Sequence, residues 1–182
     1  NHIQAMKACA EMGKTEELVA YLDRLETDLT TVDTVVKTGN VMLDAILNSK
    51  LSLAQKRGIA VNVKASVPQN LTIADVDLCV ILGNLLDNAM EACALPENVD
   101  IPKNITPFIR IYIGMKNTQL YLSVTNSSLK AAKKSGDNFI TDKGAGHGFG
   151  LLRVAKICER YGGYFKRNAE LGAFTAEILL PQ

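Results

Sequence analysis

Two groups of residues have types and spacings that could do chemistry. The first is Asn84, Asp87, Asn88 and Glu91, inside the otherwise apolar run IADVDLCVILGNLLDNAMEACA. Their i, i+3, i+4, i+7 spacing puts all four on one stripe of an α-helix. A solvent face would explain such a stripe, but solvent faces favour Lys, Glu and Gln. Asn and Asp are weaker helix formers, by roughly 0.5 kcal/mol each against Ala. Ligation is the other reading, because a hard cation such as Mg²⁺ takes oxygen donors and keeps waters while bridging phosphates. The second group is TDKGAGHGFGLLRV, in which Gly144, Gly146, Gly148 and Gly150 alternate just before an apolar, helix-like run. Glycines let the backbone approach an anion closely, and the start of the next helix offers unpaired N–H groups and a positive dipole end. Thr141, Lys143 and His147 could add donors. The run fits neither common nucleotide template. A P-loop needs GK[ST] after its glycines, and Lys143 precedes them. A dinucleotide turn needs a strand leading straight into GxGxxG, and here a long polar loop intervenes. Alone, the glycines fit either a phosphate loop or a flexible loop ending at a helix.

The elements that must position these groups can be read along the chain. NHIQAMKACAEM reads as a helix stopped by Gly13, and KTEELVAYLDRLETDL restarts a second, with Leu18, Tyr21, Leu22 and Leu25 on one stripe. So short a turn makes an antiparallel helical hairpin. A helix from about Asn40 to Arg57 follows, ended by Gly58, and then a β-branched strand in IAVNVKASV. The asparagine helix runs from Asp75 to Cys93, and a loop containing prolines from Pro96 to Pro107. FIRIYIGMKNTQLYLSVTN is a hairpin turning near Lys116-Asn117. Ile109, Ile111 and Ile113 share one face of it, as do Leu120, Leu122 and Val124. Residues 127–147 are polar and rich in Gly and Lys, and read as a mobile loop. A helix from about Phe149 to Tyr161 stops at Gly162-Gly163, and YFKRNAELGAFTAEILLP closes the chain as a hairpin turning near Gly172. A helical hairpin followed by α-β-α-β-β-loop-α-β-β predicts an α+β fold, a two-layer sandwich with helices on one face of a sheet.

Bulk properties bound the function. A chain of 182 residues suits one medium domain with a small appendage. The net charge of +1 gives no field aimed at nucleic acid or an anionic membrane. No apolar run approaches the ~18 residues that cross a bilayer. The first residue is Asn rather than Met, so the chain is expected to be cut from a longer protein, and any membrane anchor would lie outside it. Cys9, Cys79, Cys93 and Cys158 form no CxxC and sit in apolar, helix-like contexts. They read as buried free thiols, as suits a reducing cytoplasm.

Taken together, the NLLDNA helix, a hairpin ending in VTN, a polar loop, GHGFGLL and GAFTAEILLP resemble the ATP-binding domain of sensor histidine kinases. That fold is shared with gyrase, heat-shock chaperone and mismatch-repair ATPases. The resemblance runs from about Val41 to Pro181 and is nearest to the quorum-sensing and citrate-sensor-like kinases of bacteria. It implies that Asn84 and Asn88 form the asparagine box, with Asp87 and Glu91 beside the nucleotide and Asn88 on the Mg²⁺ that bridges the phosphates of ATP. It implies that Gly148, Gly150 and Leu151 lie under the phosphates, with Gly146 just before them. Thr141, Lys143 and His147 would belong to a lid over the nucleotide, and Gly172, Phe174 and Thr175 to the segment beside the adenine pocket. Asn126 stands where the family carries the Asp that reads the adenine amino group, and an amide oxygen can accept the same bond. Hydrolytic relatives place a Glu where Asn84 stands. An amide is no base, so the resemblance implies phosphoryl transfer to a protein rather than rapid hydrolysis.

The sequence holds two histidines, His2 and His147. His2 lies on the first helix, where a kinase acceptor belongs. In the resembling subfamily the acceptor motif is followed a few residues later by Asn-His, which Asn1-His2 matches, so the acceptor is expected just upstream of residue 1. Residues 1–34 would then be a truncated dimerisation and phosphoacceptor hairpin, and residues 35–182 the ATP-binding domain. The implied partners are a response regulator and a second copy joined through the hairpins, with no nucleic acid. The implied setting is the cytoplasmic side of a bacterial sensor anchored in the membrane through a region outside this chain. Two other readings stay open. One is a serine kinase of the anti-sigma-factor type, a class without a preceding hairpin. The other is a non-catalytic module that has lost nucleotide affinity, which Asn126 would permit.

Overall fold

The hairpin formed by residues 108–127 alternates so strictly that one face of it is wholly aliphatic, and the fold is built on that face. The computed structural model describes residues 36–94, 106–128, 149–170 and 172–182, the pairs 134–135 and 138–139, and Met12, Gly13, Thr15, Glu16 and Val19. Its elements are α1 (Val41–Lys56), β1 (Ala60–Ser66), α2 (Asp75–Cys93), β2 (Phe108–Lys116), β3 (Gln119–Ser127), β4 (Lys134–Ser135), β5 (Asn138–Phe139), α3 (Phe149–Arg160), β6 (Tyr164–Glu170) and β7 (Ala173–Pro181). Two compact units divide the chain, Asn1–Val35 and Val36–Gln182. In the first, Gly13 turns the chain at φ +67, and Thr15, Glu16 and Val19 are helical.

In the second unit the five-stranded sheet has the order β1-β2-β3-β7-β6. The β1–β2 pair is parallel, because α2 carries the chain back between them, and the other pairs are antiparallel. Asn117, at φ +54, makes the β2–β3 turn, and Gly172, at φ +85, the β6–β7 turn. Ile109, Ile111, Ile113, Leu120, Leu122, Val124, Ala176, Ile178 and Leu180 are buried on one face. The expected α+β two-layer sandwich is therefore observed, with its hairpins turning where expected. One segment differs. Within residues 127–147, read as a structureless loop, Lys134 pairs with Phe139 and Ser135 with Asn138 in a short antiparallel ladder. Gly136-Asp137 between them is a pair of turn-forming types, which sequence periodicity cannot register over so few residues.

Three local devices place the helices. Asn40 caps α1, its Oδ1 accepting the Leu43 N–H at 3.0 Å while its Nδ2 donates to the Gln69 carbonyl at 3.0 Å. Just before it, Gly39 has φ +101, and a Cβ there would lie 2.6 Å from the Val67 carbonyl oxygen, so only glycine fits. Asp44 accepts from the Thr38 N–H and hydroxyl at 2.7 and 2.6 Å, which fixes the entry into α1. Finally, Asp77 near the start of α2 is held by Arg160 and by the Tyr161 hydroxyl, and that hydroxyl accepts the Ala74 N–H at 3.1 Å. The start of α2 is thereby tied to the end of α3.

Cys93 and Cys158 are buried free thiols as expected, Cys79 is half-buried and also free, and Cys9 lies outside the described residues. Burial pushes the Cys158 thiol up to about 11. At pH 8 about one molecule in a thousand would then carry the reactive thiolate. In a variant keeping only this cysteine, an aromatic disulfide reagent is expected to react at least a hundredfold more slowly with the folded protein than with the unfolded chain. Equal rates would remove Cys158 from the core.

Candidate functional site

Among the described residues, the middle of α2 and the first turn of α3 meet at Asn84 and Gly150. α2 is apolar on most of its circumference, with Leu78, Ile81, Leu82, Leu85, Leu86, Ala89, Met90 and Cys93 buried. Its polar stripe is divided between two neighbours. Asn84 faces α3. Its Nδ2 donates back to the Val80 carbonyl at 2.6 Å, and a Cβ built on Gly150 would lie 2.6 Å from its Oδ1. The first turn of α3 thus sits directly on Asn84, and it can do so because residue 150 is glycine. Asp87 faces α1, where the Lys50 ammonium lies 2.6 Å from its Oδ1. Asn88 is half-buried on the far side of Asn84 from Asp87, and Glu91 is exposed one turn on, between the directions of Asn84 and Asp87. A spacing of 100° per residue spreads Asp87 and Asn88 about 100° apart around the axis. The structure therefore puts Asp87 on the α1 side of the stripe, in an ion pair between helices.

Asn126 is 2% exposed, and its Nδ2 donates to the Ser127 carbonyl at 2.9 Å. The Ser127 hydroxyl accepts the Phe108 N–H at 3.1 Å and lies 3.3 Å from Cys93 Sγ, so the strand ends and the end of α2 share one polar contact. Burial raises the Cys93 thiol, and its bonds to Ser127 and Phe108 only partly offset that. Strand register corrects another expectation. Asn126 pairs with Phe174, and Thr125 with Thr175. The two threonine hydroxyls meet at 3.0 Å, on the face opposite the buried Val124 and Asn126. Thr175 thus points away from Asn126, and Phe174, packed against the core, takes the position on its side.

Leu151, in the first turn of α3, also packs against the core. Phe149 and Leu152 flank it and are 60% and 52% exposed. His2, Thr141, Lys143, Gly146, His147 and Gly148 lie outside the described residues. Among the described residues no group of three or more His, Cys, Asp or Glu side chains could cage a metal ion. A cation here would need oxygens from a ligand besides an asparagine amide, which is how Mg²⁺ binds with phosphates. A cleft of about 430 Å³ lies elsewhere, at the N-termini of α1 and α2, lined by Met42, Gln69, Leu71 and Asp75 among others. It holds none of the expected ligands. No described helix is long and apolar enough to cross a membrane.

Comparison with known proteins agrees with this geometry. Residues 73–181 match the model of the GHKL domain. A probable C4-dicarboxylate sensor kinase of Halalkalibacterium halodurans is 25% identical over 195 residues, covering 100% of this chain and 35% of the relative. The chain thus spans about a third of the length of that relative. Among solved structures, the catalytic domain of histidine kinase ThkA superposes with a TM-score of 0.57 at 18% identity, covering 77% of this chain and 89% of that one. A blue-light-activated histidine kinase of Erythrobacter litoralis gives 0.56 at 14% identity, covering 76% and 40%. At these identities the superpositions establish the fold.

The seating of α3 on Asn84 is testable without any ligand. Gly150→Ala is expected to cost on the order of 1 kcal/mol in urea unfolding, since its Cβ must displace the amide. Adding Asn84→Ala should recover most of that cost in a double-mutant cycle. Additive effects of the two changes would mean that the close approach is absent.

Proposed function

The chain belongs to the GHKL domain family, and from that membership we propose that it is a histidine-kinase catalytic domain that binds Mg-ATP and transfers the γ-phosphoryl group to a histidine. The observation that carries this reading is the seating of the first turn of α3 on Asn84 through Gly150. It sets the unpaired N–H groups at the start of a helix beside a stripe of amide oxygens, a donor set for anions next to a donor set for a hard cation. The asparagine helix therefore fits a Mg-nucleotide. Asn88 would hold the metal through its amide oxygen. Mg²⁺, when bound, supplies charge neutralisation across the phosphate oxygens. The α3 N–H groups would donate to the γ-phosphoryl oxygens and so stabilise the charge that builds there, a role backed by the dipole of the helix. Asn126 Oδ1 would accept from the adenine amino group, and Phe174 would lie beside the base.

Asn84 bears on the reaction by what it cannot do. With no carboxylate there, no side chain at that position takes a proton from water. The reaction we propose breaks the bond between the γ-phosphorus and the bridging oxygen, which leaves with ADP. A P–N bond forms to an imidazole nitrogen of a histidine upstream of residue 1, or less favourably to His2. The phosphoryl group would then pass to an Asp of a response regulator. We place two copies together through the hairpins of residues 1–34, on the cytoplasmic side of a membrane-anchored sensor. The replacement of an acid by Asn126 favours one second reading, a signalling module that binds nucleotide weakly or not at all.

Calorimetric titration with a non-hydrolysable ATP analogue separates the two. Binding that depends on Mg²⁺, and is lost in Asn88→Ala while the chain stays folded, is the expected result. No binding at millimolar nucleotide would leave the second reading. Thr175→Val tests the strand register at the same time. It is expected to leave nucleotide affinity unchanged while costing about 1 kcal/mol of stability through the lost Thr125 contact. A weakened nucleotide would put Thr175 back in the site.

A further inference from the structure

We propose that Lys50 is a phosphate-positioning residue of this site, supplied by α1 and parked on Asp87 when no nucleotide is bound, an assignment that rests on the reading above. On α1, Leu43, Leu47 and Ala54 are buried. Lys50 follows Leu47 by three residues and precedes Ala54 by four, so it occupies a seam position of the same stripe. An apolar side chain would be the stabilising choice there. Instead the Lys50 ammonium lies 2.6 Å from Asp87 Oδ1, with the two side chains 26% and 50% exposed. A pair so wet contributes little. Stability therefore gives little reason for a lysine in the seam.

Electrostatics gives one. Asp87 directly precedes Asn88, the proposed metal ligand, and Glu91 follows one turn later. A triphosphate with one divalent cation is still an anion, and two carboxylates on the same helix would repel it. Lys50 neutralises the first of them. Its ammonium is a compact charge on a flexible stem, able to trade a carboxylate oxygen for a phosphate oxygen over a short arc. The start of α3 offers backbone N–H groups on the Asn84 side, and Lys50 adds a side-chain cation on the Asp87 side.

The measurement is the dissociation constant of the wild-type protein, Lys50→Gln, Lys50→Arg and Asp87→Asn for three probes: a non-hydrolysable Mg-ATP analogue, ADP and adenosine. Lys50→Gln is expected to weaken the ATP analogue about tenfold or more, ADP less, and adenosine not at all. Lys50→Arg should keep most of the affinity. Asp87→Asn breaks the same ion pair yet should bind the ATP analogue as tightly as wild type or more so, because it frees the ammonium. Melting temperatures of Lys50→Gln and Asp87→Asn should agree. If Lys50→Gln binds the analogue like wild type, or if it and Asp87→Asn lose analogue and adenosine alike, Lys50 is only a strut between helices. Failure of the wild-type protein to bind any of the three probes would overturn the site itself and Lys50 with it.

Discussion

α2 has more apolar surface than one neighbour can cover, and that constraint organises the whole Val36–Gln182 unit. Eight of its residues are buried, and they point in several directions around the axis. The sheet takes one side, α1 a second and α3 a third. The polar residues Asn84, Asp87, Asn88 and Glu91 share one remaining side of the middle of the helix, spread over about 100°. The same packing that supplies the hydrophobic free energy thus decides where ligands can be. It also brings the start of α3 and the middle of α1 to the edges of that side. Replacing one buried leucine there would cost about 2–5 kcal/mol and would loosen all three walls at once.

The end of the fold opposite the site is where this arrangement is made rigid. Arg160 and Tyr161 grip Asp77, and Tyr161 also satisfies the Ala74 N–H, which has no side-chain cap of its own. Asn40 and Asp44 do the corresponding work for α1. With α2 and α3 pinned there, their other ends can meet around a ligand without the helices having to be positioned by it. On the proposed reading this is preorganisation. The donors at the start of α3 are set by the fold before any phosphate arrives.

Much of this was legible in the sequence, because it rests on period. Alternation in residues 108–127 fixed which side chains face the core, down to Ile109, Ile111 and Ile113. The helix from Asp75 to Cys93 was readable to its ends because a sustained 3.6-residue pattern is the strongest local signal. What period cannot supply is register between strands and direction between helices. Thr175 was assigned by its place in a motif, but pairing with Thr125 puts it on the far face, a one-residue difference that turns a side chain over. Asp87 could not be told from the rest of the stripe, because a stripe read from sequence has no left or right. Only the position of α1 on one side and α3 on the other divides it. Lys50 was missed for a related reason. A lysine in a helix reads as surface until its neighbours at Leu47 and Ala54 are seen to be buried.

The amides in the site share a physical logic. On the proposed reading, Asn84 and Asn88 would lie beside the phosphates, where a carboxylate would add negative charge, and Asn126 beside the adenine. An amide oxygen offers the same lone pairs without that repulsion, and its nitrogen can be satisfied by the chain itself, as the Val80 and Ser127 carbonyls do here. The weakness of each neutral contact is then offset by the absence of opposing charge, so affinity depends on how the remaining carboxylates are balanced. Asp87 is balanced by Lys50. On the proposed reading, such a site would hold phosphates through backbone donors with an amide rather than a base at position 84, and would favour passing a phosphoryl group to a well-placed nucleophile over spending it on water.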